Sequence, residues 1–379
     1  MRFLSVCSGM EAASVAWEPL GWKAVGFSEI EPFPCAILAH RFPTTPNYGS
    51  LLTHHEWPVE PGSIDLLVGG TPCQSFSVAG LRKGMADPRG NLALVFLGLA
   101  DRVKPRWIVW ENVPGVLSSN GGRDFGSFLG ALGQLGYGVA YRVLDAQNFG
   151  VPQRRRRVFV VACLGPGGWE AAAKVLFEPE SLRWDSSTSR KKGENNPRNV
   201  KNCVGLSIYE NRPTDSRITG PHLIAPTMTS RFGTGGGNVP FVHHIAPSNV
   251  APTVTSSGPP YSRTGNERVE TEALAITFQP GNLCRQAGAE PSTTTTTTLK
   301  ASSGDQMPHV AQSMSVRRLT PRECERLQGF PDDWSLIPWK GKPVDQCPDG
   351  PRYKACGNSM AVPVMRWIGT RIAAQKLSK

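Results

Sequence analysis

No apolar stretch in these 379 residues approaches the roughly 18 to 20 positions needed to cross a bilayer, so no membrane-spanning helix is expected. The opening MRFLSVCSGMEAAS has too short an apolar core for a secretory signal, lacks a cleavage pattern, and reads as a strand. Nine cysteines, at 7, 35, 73, 163, 203, 284, 324, 347 and 356, contain no Cys-x-x-Cys pair. That absence argues against a disulfide framework and against a zinc ribbon or finger, and a reducing, cytoplasmic setting is the expectation. Acidic excess is also missing: 41 Lys and Arg stand against 30 Asp and Glu, a net charge of +11. Residues 317–379 carry 12 basic against 6 acidic side chains. A basic bias suits a polyanionic partner such as nucleic acid, and it also suits plain solubility.

What is present is an alternation of short apolar runs with amphipathic stretches over the first 165 or so residues. Strands are expected at RFLSVC (2–7), KAVGFS (23–28), IDLLVGG (64–70), WIVW (107–110), GVAYRVL (138–144) and RVFVVAC (157–163). Helices are expected over 10–20, 32–41, 91–102 and 123–135, the last two punctuated by Gly90-Asn91 and Gly121-Gly122. Nearly all-apolar strands of this kind belong to a mostly parallel sheet covered on both faces.

The pattern changes after about residue 183. DSSTSRKKGENNPRN has no period and reads as a linker, and 200–316 is rich in Gly, Pro, Ser and Thr. A degenerate repeat runs through it: APTMTS at 225–230, APTVTS at 251–256 and EPSTTT at 290–295. Their spacing is too uneven for a solenoid. Short extended segments joined by long loops, a β-rich recognition module, are expected, against the alternative of a low-complexity tract. Order returns at LTPRECERLQGFPDDW, where Thr320 caps a helix, Pro321 opens it, Glu323 completes a capping box and Gly329 ends it. A last helix is expected within SMAVPVMRWIGTRIAAQKL.

Several stretches carry chemistry. The first strand runs into CSGMEAAS, a tight small-residue turn that lets a cofactor approach backbone N–H groups at a helix start. About 20 residues on, Glu29 ends the second strand, where a carboxylate can accept hydrogen bonds from ribose hydroxyls. The loop GGTPCQSFSVAGLRKGMADPRGNL is long, glycine-rich and basic, with Cys73 at its base. A loop of that length inside a compact α/β unit is more often functional than structural. VWENVPGV places Glu111 and Asn112 just beyond another strand, at the sheet edge where open α/β folds bind ligands, so Cys73 and Glu111 can converge.

The ordered series PCQSFS (72–77), ENVPGV (111–116), QNFGVPQRRRRVFVVA (147–162), RRLTPRECERLQGFPDDW (317–334) and GNSMAVPV (357–364) resembles the DNA cytosine-5 methyltransferases of bacteria and phages. The likeness spans nearly the whole chain, in that family's order. It includes the variable gap before LTPRE where the family keeps its target-recognition domain. The resemblance implies an α/β fold of the S-adenosylmethionine-dependent methyltransferase type, with a mixed, mostly parallel sheet and helices on both faces. A smaller β- and loop-rich target-recognition domain completes it. The implied organisation is a catalytic and cofactor-binding domain over 1–183, a target-recognition domain over 184–334, and a C-terminal helical segment, 335–379, returning to the catalytic domain.

The resemblance also implies roles. Cys73 attacks C6 of a cytosine flipped out of double-stranded DNA, and C5 takes the methyl group of S-adenosylmethionine. Loss of the C5 proton then expels the thiolate. A basic loop holding Arg82 and Lys83 would favour the thiolate. Glu111 holds N3 and the amino group, while Arg155 and Arg157 engage the nucleotide and order the catalytic loop. Pro72, Gln74, Ser75, Asn112, Val113 and Gln153 make up the implied loop and substrate-binding set. Cys7, Ser8 and Gly9 fall on the glycine-rich cofactor motif, Glu29 on the ribose carboxylate, Ile30 on the adenine contact, and Asn358 and Ser359 on the motif that closes the pocket. No metal is implied, and a monomer is expected. The chain departs from the family where an aromatic and paired glycines usually stand, here Cys7, Glu11 and Ala12, and where Ser50 replaces an acidic residue. Two rivals use the same scaffold: an RNA cytosine methyltransferase and an inactive DNA-binding protein. The Gly/Thr-rich insertion and the lack of a Cys-Phe-Thr stretch favour DNA over RNA, and the intact PCQ and ENV motifs argue for an enzyme.

Overall fold

The computed structural model describes residues 1–71, 92–178, 207–212, 215–228, 241–245, 273–278 and 309–375. By its internal contacts the chain divides into two compact units. The first comprises Met1–Asn199, Ile224–Gly235 and Thr320–Lys379; the second comprises Val200–Leu223 and Gly236–Leu319. Residues 320–334, counted with the recognition segment in the sequence reading, fall in the first unit.

A six-stranded sheet forms the spine of the first unit. Its strands are β1 (Arg2–Val6), β2 (Lys23–Ser28), β3 (Leu66–Gly69), β4 (Trp107–Asn112), β5 (Tyr137–Asp145) and β6 (Arg156–Leu164), in the order β2-β1-β3-β4-β6-β5. β2, β1, β3 and β4 pair in parallel, and β6 runs antiparallel to both β4 and β5. This is the mixed, mostly parallel sheet expected from the sequence. β3 and β4 are buried along their whole length, so each must satisfy an apolar layer on both faces.

Alternation along β1 shows how the two layers divide. Leu4 and Val6 join one continuous core with Leu67, Ile108, Trp110, Val158 and Val160. Into that core pack α3 (Leu92–Val103), through Phe96 and Leu99, and α4 (Arg123–Gln134), through Phe125 and Phe128. Phe3 points the other way and meets Trp17 edge-on, with ring centroids 5.1 Å apart. Trp17 lies on α1 (Ala12–Trp17) and donates its indole N–H to the Met365 carbonyl at 2.7 Å. Met365 belongs to α8 (Val362–Ala373), so the C-terminal helix returns to cover the sheet beside the first helix. α2 (Pro32–Arg41) and α5 (Gly168–Leu176) complete the α/β succession.

Two more helices, α6 (Pro321–Gln328) and α7 (Asp349–Asn358), precede α8. Thr320 and Glu323 form the capping box read from the sequence, Pro321 opens α6, and Gly329 ends it in the left-handed region at φ 82°.

The second unit holds one antiparallel sheet of β7 (Ser207–Arg212), β8 (Asp215–His222), β9 (Phe241–Ile245), β10 (Ala273–Phe278) and β11 (His309–Arg318). The order is β10-β11-β9-β7-β8. The segment is β-rich, as its composition suggested. Of the three sequence repeats, only Ala225–Met228 of the first lies among the described residues, and it pairs in the first unit, not in this sheet. β9 and β11 instead overlap the stretches NVPFV and QMPHV that follow the first and third copies.

Candidate active site

Four chain segments meet at the C-terminal edge of the sheet around an open cleft. The turn after β1 supplies Cys7, Ser8, Gly9 and Glu11; β3 and β4 supply Gly70 and Glu111; the end of α7 supplies Asn358, Ser359 and Met360. Residues more than 340 positions apart in sequence thus line one space. Gly70 gives both neighbours room here: a Cβ would stand 3.1 Å from Met360 Cε and 3.2 Å from Glu111 Oε2, so one of them would have to shift.

The first turn is built by backbone that only certain residues accept readily. Cys7, Gly9 and Glu11 all take positive φ, 50°, 56° and 65°. Ser8 N–H donates to the Ser28 carbonyl at 3.2 Å and Ser8 Oγ to the Ser5 carbonyl at 2.9 Å, locking the turn onto β1 and β2. Gly9 N–H donates to Glu29 Oε2 at 2.8 Å. Glu29 Oε1 accepts from the N–H groups of Ile30 and Glu31 at 2.8 and 2.9 Å. Three of the roughly four lone-pair positions of that carboxylate are therefore taken, and one is left for a ligand hydroxyl. Ile30 is 67% exposed and does not line the cleft, but stands beside Glu29 where an apolar ring could lie on it.

Glu111 ends β4 and is buried. Arg157 Nε lies 3.2 Å from its Oε1 as an ion pair without hydrogen-bond alignment. Burial pushes the Glu111 carboxyl above the usual carboxylate range, while the Arg155 and Arg157 charges pull it back. A carboxyl so placed can hold a proton or pass it to a neighbouring base.

Arg155 has a different environment from Arg157. Only 3% exposed, it donates to the carbonyls of Met228 at 3.3 Å, Gly357 at 3.2 Å and Ser359 at 2.6 Å. Burial, then the Arg157 charge, lower its pKa to about 9, so it stays cationic at neutral pH. Its guanidinium is a bracket that holds the end of α7 and the 225–228 strip against the start of β6. Arg154 and Arg156 are exposed. Gln153 is fully buried, pairs in parallel with Ala225, and neither side-chain amide atom has a hydrogen-bond partner.

Asn112 works on the chain around the cleft. Its Nδ2 donates to the Thr71 carbonyl at 3.0 Å and its Oδ1 accepts from Val113 N–H at 2.8 Å. Thr71 Oγ1 also accepts from Trp110 Nε1 at 2.9 Å, so the chain leaving β3 is fixed on two sides just before Pro72. Val113 is exposed at the start of the next turn. Pro72, Cys73, Gln74 and Ser75 lie outside the described residues.

Five of the described thiols are held toward their neutral form by burial. Cys7, in the cleft itself, has its thiol pushed up to about 12 by burial and then by the Glu29 charge. Burial likewise raises Cys35, Cys163, Cys324 and Cys356.

Two features of the site went unread in the sequence. Glu11 is fully buried, with Oε1 accepting from Ser14 N and Oγ at 3.0 and 3.1 Å and Oε2 from Ser5 Oγ at 2.8 Å. The available signal was an acidic residue at the N-cap of an otherwise apolar helix. Met360 was invisible, since nothing in a lone methionine marks it as lining a cleft.

The cleft and its border fit an adenosyl sulfonium. A tight turn with open space at Gly9, a carboxylate with a spare lone pair at Glu29 just beyond the lining, and, among the described residues, a lining with carboxylates but no Lys or Arg all suit a cationic nucleoside derivative.

Comparison with known proteins agrees. Residues 1–374 match the model of the family described as C-5 cytosine-specific DNA methylase. The chain is 38% identical, over 97% of its length, to a protein of Escherichia phage P1 named DNA N-6-adenine-methyltransferase, and spans 60% of that relative. It is 26% identical to the Type II methyltransferase M.NlaIV of Neisseria lactamica, with 98% of each chain covered. Among solved structures, the S. pombe Dnmt2 methyltransferase superposes with a TM-score of 0.55 over 98% of both chains at 16% identity, a likeness of fold.

Proposed function

Because the chain belongs to the C-5 cytosine-specific DNA methylase family and uses S-adenosylmethionine as methyl donor, we propose that it methylates C5 of cytosine within a specific double-stranded DNA sequence through a covalent Cys73 adduct. The observation that carries the proposal is the buried Glu111 carboxyl, paired with Arg157 at 3.2 Å in a cleft shared with the Gly9 turn and Ser359.

The chemistry needs such a group. C5 of cytosine is a weak nucleophile, and attack at C6 turns it into an enamine carbon. Cys73 lies two residues beyond Thr71, whose carbonyl is held by Asn112 next to Glu111 in sequence. Its thiolate attacks C6, and charge builds on N3 as the ring loses aromaticity. Glu111, held toward its protonated form by burial, donates to N3 as that charge develops. The donor supplies an electrophilic methyl carbon on a sulfonium. C5 then carries both its proton and the new methyl group; water takes that proton, the C5–C6 double bond re-forms as the Cys73 thiolate leaves C6, and N3 returns its proton to Glu111. Cys7, Ser8, Gly9, Glu29 and Ile30 hold the nucleoside portion of the donor, with Asn358 and Ser359 closing the cleft. Because C6 is covered in a stacked duplex, the base is turned out, at a cost of a few kcal/mol. The second unit, with its antiparallel sheet, supplies the side chains that choose the site.

The phage P1 relative named for N6-adenine methylation is a longer protein, of which this chain spans 60%, and exocyclic N6 of adenine needs no thiol nucleophile. The test separates the two products. DNA incubated with the protein and donor is digested and its nucleosides weighed by mass spectrometry. 5-Methylcytosine is expected; N6-methyladenine in its place, or 5-methylcytosine only in RNA, would sink the proposal. Cys73→Ser should abolish both turnover and covalent trapping on 5-fluorocytosine DNA, and trapping retained by that variant would remove Cys73 from the mechanism.

A further inference from the structure

Among the described side chains of the cleft, Glu11 has no cationic partner. Among the described residues, the cleft lining contains two carboxylates, Glu11 and Glu111, and no lysine or arginine, in a chain whose net charge is +11. Glu111 has Arg157 at 3.2 Å. The hydrogen-bond partners of Glu11 are all neutral: the Ser5 hydroxyl and the Ser14 N–H and hydroxyl. These three bonds fix the carboxylate and leave one lone-pair position on Oε2.

The charged and titratable groups on neighbouring elements do not offset it. Glu29, on the other side of the Gly9 turn, has the same sign and raises Glu11 further. Cys7 is a neutral thiol across the working pH range. On α8, which packs beside α1, Arg366 is exposed and Arg371 donates to the carbonyls of Val175 and Phe177. Glu111 faces Arg157.

The donor and its spent form differ at this place by one unit of charge: a sulfonium before transfer, a neutral thioether after. If Glu29 takes the ribose and Glu111 the base, the sulfonium must lie between them, because its methyl carbon has to reach the ring. Glu11 borders that same space. We propose that the Glu11 carboxylate is the counter-charge by which this cleft prefers the cationic methyl donor over its neutral thioether product. The inference rests on the cleft being the donor site. It makes Glu11 a specificity-determining residue for a step in which product must leave before fresh donor enters.

Burial brings the Glu11 carboxyl up to about 7, so its charge turns on within the range where the enzyme is readily handled. Preference should therefore be weak below that point and full above it.

The test measures equilibrium dissociation constants of S-adenosylmethionine and S-adenosylhomocysteine on the full chain by calorimetry, between about pH 6 and about pH 8.5. The two ligands share the same amino and carboxyl groups, and the amino titration, which the sulfonium lowers in the donor, is measured on the free ligands and corrected before the ratio of the two constants is taken. In the wild type the ratio should shift toward the donor on the order of ten-fold across that range, the size expected for two charges within a few ångströms at intermediate dielectric. Glu11→Gln, which keeps the shape and can still accept from Ser14 N–H, should make the ratio flat. Ser5→Ala removes one bond to the charged form and should move the wild-type transition to higher pH without reducing its amplitude. A wild-type ratio that does not vary with pH, with both ligands bound, overturns the inference and leaves the donor site standing. A pH-dependent ratio that survives Glu11→Gln assigns the effect to another carboxylate and also overturns it. Absence of binding by either ligand refutes the donor site and the inference with it.

Discussion

Replacing Arg155 by methionine tests whether one buried guanidinium holds the cleft's far wall. The wild-type side chain makes four N–H···O contacts to three carbonyls, those of Met228, Gly357 and Ser359. Methionine fills a similar length but donates nothing, leaving up to three buried carbonyls without this partner. Each such orphan costs about 1–3 kcal/mol. Against this, the substitution removes the cost of holding a buried cation, visible in the lowering of the Arg155 pKa to about 9. The balance for breaking a buried charged partnership is about 3–5 kcal/mol. That loss falls on the end of α7 and its junction with α8, because the core of the sheet does not contact this guanidinium through any of the four bonds. Amide hydrogen exchange read by mass spectrometry should then accelerate across residues 355–361 by on the order of a hundred-fold or more. Peptides covering β1, β3 and β4 should exchange at the wild-type rate. Arg155→Lys should fall between the two, since one ammonium cannot fork to three carbonyls. Acceleration at 355–361 of less than about three-fold in the methionine variant would refute the bracket. Uniform acceleration everywhere would show instead that Arg155 supports the whole unit.

Other expectations follow from the same geometry. Glu11 titrates at about 7 when folded against 4.5 ordinarily, so the folded state binds more protons between those values and stability falls as pH rises from 4.5 to 7. A shift of that size is worth about 3 kcal/mol, so Glu11→Gln should melt higher than wild type at about pH 8 by roughly 5 °C, with the advantage fading toward about pH 5. A difference constant with pH would contradict it. Gly70→Ala puts a Cβ 3.1 Å from Met360 Cε and 3.2 Å from Glu111 Oε2. The methionine end can give, but the carboxylate paired to Arg157 is displaced, so kcat should fall on the order of ten-fold while donor affinity stays within a factor of about three. An unchanged kcat would show that Glu111 has more freedom than its contacts imply.

The sheet was legible because its strands are buried on both faces and therefore read as unbroken apolar runs. β1, β2, β4 and β6 lie within a residue or two of where the sequence put them. The capping box at Thr320 was legible for a local reason, since both partners lie within four residues. The site was legible in pieces: the turn at Ser8 and Gly9, the strand-end acids Glu29 and Glu111, the terminal motif at Ser359. What hid was whatever depends on contact across distance. Arg155 and Arg157 are two residues apart in one basic run, yet one is spent on backbone carbonyls and the other on Glu111. No local pattern separates them, because the difference is made by α7 arriving some 200 residues later. Glu11 hid for the converse reason: its partners are near in sequence, but its full burial is a property of the folded unit.

Net charge told less than it promised, and the arginines show why. The excess of 12 basic over 6 acidic residues in 317–379 looked like a footprint for a polyanion. Arg352 is instead buried against Glu325, at 3.2 Å, and against Ser335. Arg371 donates to carbonyls at the end of α5, and Arg322 and Arg326 pair with Asp333 and Asp332. From the other half of the unit, Arg41 reaches the carbonyls of Asp333 and Trp334. Arg352, Arg322 and Arg326 tie the re-entering segment to itself, while Arg371 and Arg41 join it to the part of the unit completed before the insertion. Planar forks suit that task, because a carbonyl at a helix end or in a turn needs a donor and no neighbouring strand can supply one. A fold interrupted by a long insertion can thus be closed by directional bonds at its seams while apolar packing, here Trp17 beneath α8, supplies the area. A net count over a segment therefore does not say which of its basic side chains remain open to a polyanion.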